Sequence, residues 1–420
     1  MATFADLGLS DRLLTAIEQK GYKEPSPVQE LAIPLVLADK NDLIVQARTG
    51  TGKTAAFGLP MMDTIDATGT VKAIILTPTR ELAVQITEEL HSFNKGKKLA
   101  ITTVYGGQSI SVQEKALRKG CDIIVGTPGR VIDFVKKGKL VISDIKYAVL
   151  DEADEMLNMG FIEDVEFILS HTPKEKRMLM FSATMPSRLK AIAEKFMQNV
   201  HTVKAVSGEL TTDLVTQRAY QVNAKDRQQA LDRLICMEKE FYGIIFTQTR
   251  IDAEHVSARL NDKGYSVEFL HGDIPQKSRE NILQSFKQKR TRILVATDVA
   301  ARGIDVNDLT HVVNYSVPES PEAYVHRIGR TGRAGESGHS ISFACEEYAI
   351  NLPAIETYIE HGIPQSKYDS DALLDDLPAP IRLQRTPRQG GRRNNQRQGQ
   401  GQGQSRQRNN RRRPPQNKPA

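Results

Sequence analysis

Two short runs carry chemistry that belongs together: Ala47-Arg48-Thr49-Gly50-Thr51-Gly52-Lys53-Thr54 and Asp151-Glu152-Ala153-Asp154. In the first, glycines let consecutive backbone N–H groups curve around phosphate oxygens. Lys53 brings a cation to the terminal phosphates, and the Thr54 hydroxyl is a ligand for Mg²⁺. Ala47 stands where the strict loop pattern has glycine, while Gly50 and Gly52 are kept. Such a loop needs an acidic partner. Asp151 is suited to hold Mg²⁺ through water, and Glu152 to position or activate an attacking water. Alone, the acidic tetrapeptide reads more readily as a helix start, where carboxylates suit the dipole; the phosphate loop upstream reverses that preference.

Both runs need a scaffold that places them at one edge. Each belongs to a short run that opens on apolar residues, LIVQA (43–47) and AVLDEAD (148–154), and others recur at AIIL (73–76), DIIVG (122–126) and MLMFSAT (178–184). Amphipathic stretches such as RELAVQITEELHSF (80–93) lie between them. This alternation predicts a parallel sheet with helices on both faces, with ligands bound at the carboxyl ends of the strands. The pattern pauses near 205–217 and resumes at GIIFTQ (243–248), SVEFLHG (266–272), RILVATD (292–298), HVVNYSV (311–317) and GHSISFA (338–344). The expected organisation is a first α/β domain over 1–206, a linker over 207–213 and a second α/β domain over 214–360. An extension over 361–378 and a tail over 379–420 follow.

The net charge of +6 over 420 residues hides an asymmetry. Residues 379–420 hold eleven Arg, one Lys and no acidic residue, leaving 45 basic against 51 acidic residues elsewhere. From 384 to 419 there is no aliphatic, aromatic or sulfur-containing residue, so the tail cannot bury enough surface to fold. Its charge suits a polyanion. No apolar run approaches the ~18 residues that span a membrane, and no secretory leader is visible, so no membrane partner is expected. Cys121, Cys236 and Cys345 are too scattered for a disulfide framework or a zinc site and read as buried reduced thiols. A reducing, cytoplasmic setting follows.

Further motifs occur in a fixed order. Phe4 and Gly21 to Gln29 (GYKEPSPVQ) precede the phosphate loop; Pro78-Thr79-Arg80-Glu81-Leu82-Ala83, Gly106-Gly107, Thr127-Pro128-Gly129-Arg130, the acidic tetrapeptide and Ser182-Ala183-Thr184 follow it. The second half supplies Phe246, Gln276 with Arg279, Ala296-Thr297-Asp298 through Asp305, and His326 to Arg333 (HRIGRTGR). Singly these are weak; in this order, over about 4–344, the chain resembles the DEAD-box ATP-dependent RNA helicases. Residues 326–359 and 372–383 are similar to the helicase B group that serves the bacterial RNA degradosome.

The resemblance implies two RecA-like domains that close over ATP. Gln29 would read the adenine edge and Tyr22 stack on the ring. Ala47 to Thr54 would hold the phosphates, with Arg48 where the family usually has Gln, and Asp305 would approach the ribose. Arg330 and Arg333 would act as arginine fingers on the transferring phosphoryl group. Ser182, Thr184 and His326 would couple the site to domain closure. Arg80, Gly107, Thr127, Arg130, Gln276, Arg279, Thr297 and Arg302 correspond to RNA contacts, directed at phosphate and sugar rather than bases. The expected activity is RNA-stimulated ATP hydrolysis with local unwinding of short duplexes, by a monomer within a larger assembly whose partner is a ribonuclease scaffold. Two alternatives stand beside it: a general RNA chaperone of ribosome assembly, and a protein acting chiefly through its tail, which has charge but no aromatic residue for base stacking.

Overall fold

The computed structural model describes residues 2–368, except 39–40, 48–49, 206–214, 239, 302, 305, 307–308 and 333–337. The expected sites Arg48, Thr49, Arg302, Asp305 and Arg333, the linker 207–213 and the tail lie outside the described residues. So does the part of the extension beyond 368.

The first half forms strands β1 (Leu43–Gln46), β2 (Ala73–Leu76), β3 (Ile101–Val104), β4 (Ile123–Gly126), β5 (Tyr147–Leu150), β6 (Arg177–Ser182) and β7 (His201–Lys204). The second forms β8 (Val215–Gln221), β9 (Gly243–Thr247), β10 (Val267–Leu270), β11 (Ile293–Thr297), β12 (His311–Asn314), β13 (Gly338–Ala344) and β14 (Gln365–Lys367). Each set makes one sheet, and every strand pairing among the described residues is parallel. The orders are β3-β4-β2-β5-β6-β1-β7 and β10-β11-β9-β12-β13-β8-β14. Renumbered from its first strand, the second sheet has the same order as the first. The two lobes are one topology used twice.

Strand alternation sorts side chains into two helical layers. Ala73 and Ile75 join one core with Val45, Val125 and Phe181, whereas Ile74 and Leu76 join the other with Ile44, Ile124 and Met180. The second sheet does the same, Ile245, Val295 and Val313 on one face and Ile244, Leu294 and Val312 on the other. Burial on both faces explains why these strands read as unbroken apolar runs.

Four strands have no counterpart among the runs legible in the sequence. β7 and β14 are outer strands and largely exposed, β3 closes the other edge, and β8 alternates buried and exposed residues. The pause near 205–217 therefore ends early, since Val215 to Gln217 already belong to β8. Within the stretch read as an extension, Gln365–Lys367 pairs with β8. Cys121 and Cys345 are buried free thiols as expected, while Cys236 is only partly buried.

Candidate functional site

The strand order splits each carboxyl edge into two neighbourhoods. In the first lobe β5, β6 and β1 are adjacent, so their ends gather Asp151, Ser182 and the loop leading to Lys53. On the other side β3, β4 and β2 gather Gly107, Thr127 and Arg80. The second lobe repeats the division: Gln276 follows β10 and Thr297 ends β11, whereas the helix Pro321–Ile328 follows β12.

Gly50 and Gly52 have φ of 79° and 89°, and Gly52 opens the helix Lys53–Thr64, in which Thr54 is the second residue. Left-handed backbone is open to glycine at no steric cost. A Cβ on Gly52 would also overlap Gln29 Nε2. The Gln29 amide closes this corner: it donates to the Gly52 carbonyl at 3.1 Å and accepts from Ser26 N at 3.0 Å. Ser26 Oγ in turn donates to the Thr51 carbonyl at 2.7 Å. Ala47 is buried and its N–H donates to the Ser182 carbonyl. Tyr22 packs on Phe4 and Phe93, and its hydroxyl donates to Glu89 at 2.8 Å.

Lys53 Nζ is buried and has no hydrogen-bond partner among the described residues; Asp151 Oδ1 lies 3.7 Å away. A buried ammonium with three donors unused suits anionic oxygens. Burial raises the Asp151 and Glu152 carboxyls above their ordinary values, against the pull of Lys53. Arg330 and His326 of the second lobe oppose that rise more weakly at Glu152. Glu152 has φ 52° and ψ 51°, an uncommon conformation for a side chain with a Cβ. Among the described residues no group of three or more His, Cys, Asp or Glu could hold a metal unaided. A single buried carboxylate, Asp151, beside Lys53 and the helix that carries Thr54 would suit an ion such as Mg²⁺, which takes waters and phosphate oxygens as its other ligands.

Asp154 and Glu155 matter beyond what local sequence indicates. Asp154 Oδ2 accepts from Ala183 N (3.1 Å), Thr184 N (2.8 Å) and Thr184 Oγ1 (3.0 Å), and Asp154 N donates to Ser182 Oγ. The acidic run and Ser182-Ala183-Thr184 are thus one unit. Glu155 Oε1 crosses the cleft to His326 Nδ1 at 3.0 Å. A cavity between the lobes is lined by Lys53, Glu152, Glu155, Phe246, His326 and Arg330.

Arg330 is buried and donates to the Ile304 carbonyl at 2.8 Å. Arg327 is fully committed inside its own lobe. It forks onto Asp298 at 2.6 and 2.7 Å, donates to Asn314 Oδ1 and the Ser316 carbonyl, and lies over Phe246. The only sequence signals for Asp298 and Arg327 were a carboxylate ending a strand and an arginine in a motif.

At the other neighbourhood Arg80 Nη1 donates to Gln276 Oε1 across the cleft at 3.0 Å. The Arg80 guanidinium packs on Gly107, where an added Cβ would stand 2.9 Å from Cζ. Arg279 is buried between Glu81 and the Ala300 carbonyl. Thr127 heads the helix Pro128–Lys136, and Arg130 in that helix donates to the Gln108 carbonyl at 3.2 Å. Thr297 is partly exposed at its strand end.

Two RecA-like sheets with a phosphate loop at the edge of the first define a two-lobed nucleotide-dependent helicase core. Residues 26–192 match the DEAD/DEAH box helicase model, and 226–335 match that of the helicase conserved C-terminal domain. The chain belongs to the DEAD-box helicase family and is an ATP-dependent RNA helicase. It is 47% identical over 423 residues to the ATP-dependent RNA helicase RhlB of Photobacterium profundum, covering 98% of this chain and 97% of that one. It is also 47% identical to the helicase CshA of Geobacillus kaustophilus, over 85% of this chain and 76% of the other. Among solved structures, Saccharomyces cerevisiae Dbp5 bound to RNA and ADP-BeF3 superposes with a TM-score of 0.80 at 32% identity, over 89% of this chain and 97% of that one. A DEAD box protein of Methanococcus jannaschii is 46% identical, over 87% of this chain and 99% of that one, yet gives only 0.52. Identity at that level preserves the fold of each lobe, so the lower score reflects how the lobes are placed. Here they are placed much as in the Dbp5 complex.

Proposed function

We propose that the chain is an RNA-stimulated ATPase that locally unwinds short RNA duplexes by closing its lobes over ATP and RNA. It acts in bacterial RNA turnover, in the cytoplasm, with a ribonuclease assembly. One observation carries the mechanism. The Glu155–His326 contact beside the phosphate site and the Arg80–Gln276 contact in the other neighbourhood join the same two lobes. Because both bridge the same pair of lobes, closure supports the two contacts together. Nucleotide and RNA then favour one state and strengthen each other's binding by linkage.

In this reading Lys53 and the backbone of residues 47–54 bind the phosphates, while Gln29 and Tyr22 serve the base. Thr54 and Asp151, the latter through water, would hold Mg²⁺, which neutralises phosphate charge when bound. Glu152 positions the attacking water and takes its proton. Arg330 stabilises charge on the transferring group, a role that can be worth 10³–10⁵ in rate in related systems. Ser182 and Thr184, tied to Asp154, and His326, tied to Glu155, report closure. Arg80, Gly107, Thr127, Arg130, Gln276, Arg279 and Thr297 form the RNA side. Arg48, Thr49, Asp305, Arg302 and Arg333 keep the roles the family pattern implies. The working boundaries are 1–206 and 214–360.

The ribonuclease partner rests on the extent of similarity: the RhlB relative matches 98% of this chain, the CshA relative 85%. Steady-state ATPase and duplex-unwinding assays with RNA, DNA and no nucleic acid test the activity. Stimulation by RNA alone supports it, and equal rates in all three overturn it. Pull-down of bacterial ribonuclease scaffolds by the whole chain tests the partner.

A further inference from the structure

The lobes meet at a third place, where a backbone rather than a side chain makes the fit. The helix Arg80–Phe93 is capped by Thr79, whose Oγ1 accepts from Leu82 N at 3.3 Å. Its first turn is gripped by the second lobe, Arg80 by Gln276 and Glu81 by Arg279. Gly303 of the second lobe sits directly on the cap. Its φ is 69°, and a Cβ built there would overlap Thr79 Oγ1 while standing 3.2 Å from Leu82 N and 3.3 Å from Thr79 Cβ. Backbone N and a cap fixed by its own hydrogen bond cannot turn aside as a flexible side-chain end could. Room for a methyl group there requires the Thr79 cap to give way or the lobes to shift apart.

We propose that Gly303 is a positioning residue for the closed state: the lobes seat through a glycine backbone against the Thr79 cap. Any side chain at 303 opposes closure without touching ATP. This goes beyond the proposed ATPase mechanism, because it assigns the geometric limit on closure to a residue outside the phosphate site.

Left-handed strain alone could mimic the effect, so the test needs a matched control. Gly264 lies in the same lobe with φ 91° and has nothing within 4 Å of a built Cβ. Gly264→Ala thus carries similar backbone strain without the collision. In the full chain, Gly303→Ala should lower RNA-stimulated kcat and RNA affinity in a non-hydrolysable ATP analogue by about tenfold or more, as expected for overpacking a fitted contact. ATP affinity without RNA should stay within about twofold and thermal unfolding should match Gly264→Ala. Adding Thr79→Ala removes the overlapping oxygen and should recover part of the loss. If Gly303→Ala performs like Gly264→Ala, or if Thr79→Ala recovers nothing, the seat is not at this contact. If instead the parent shows no RNA stimulation, the fault lies with the ATPase reading.

Discussion

Glu155 and His326 meet across the cleft at 3.0 Å, the one four residues after Asp151 and the other four before Arg330. The carboxylate is buried and the imidazole about four-fifths so. This pair links the acidic run of one lobe to the arginine-bearing segment of the other.

His326→Ala should therefore lower RNA-stimulated turnover about tenfold, within the range of coupling between sites, while leaving ATP affinity without RNA nearly unchanged. His326→Gln retains an N–H donor for Glu155 and should recover part of the loss. Comparing kcat and KM for ATP in the three proteins checks this; a change in KM alone would place His326 in simple nucleotide binding.

Glu152→Gln should keep ATP binding and lose hydrolysis by at least about a hundredfold, the low end for removing a general base. The same change bears on stability. Burial holds the Glu152 carboxyl above its ordinary value in the folded chain. The folded state then binds that proton more tightly than the unfolded state does, so the charged group costs stability as pH rises past the ordinary value of about 4.3. At pH 7 the variant should be the more stable by about 0.5–2 kcal/mol, with the gap closing below pH 4. Denaturant melts at both pH values decide it.

Gln29→Ala removes the clasp between Ser26 N and the Gly52 carbonyl. It should raise KM for ATP about tenfold, equivalent to 1.4 kcal/mol, and narrow the preference for ATP over GTP. A loss shared equally by both nucleotides would make Gln29 a support of the loop and not a reader of the base.

Deleting residues 384–420 removes eleven positive charges. If half of them engage RNA, the slope of log affinity against log salt should flatten by about 3 to 4 units, at about 0.7 per phosphate on a single strand. ATP hydrolysis at saturating RNA should persist. Salt titrations of RNA binding by the full and shortened chains measure the slope, and an unchanged slope would exclude the tail from RNA binding under those conditions.

The sequence alone determined the chemistry and where along the chain it sits. Gly50, Gly52, Lys53 and Thr54 after an apolar run mark a phosphate loop locally, because loop shape is written in neighbouring residues, whereas Asp151 and Glu152 after another read as its partners only once that loop is in view. Most strands were legible from their apolar residues; β3, β7, β8 and β14 were not, since they lie at sheet edges or expose alternate residues. Tertiary structure decided which distant residues face each other. Asp154 finds Thr184, Glu155 finds His326, Glu81 finds Arg279 and Thr79 finds Gly303 only because parallel strand order brings chosen strand ends together and the lobes dock edge to edge. These partners lie from 30 to more than 200 residues apart, and no periodicity within a single element records them.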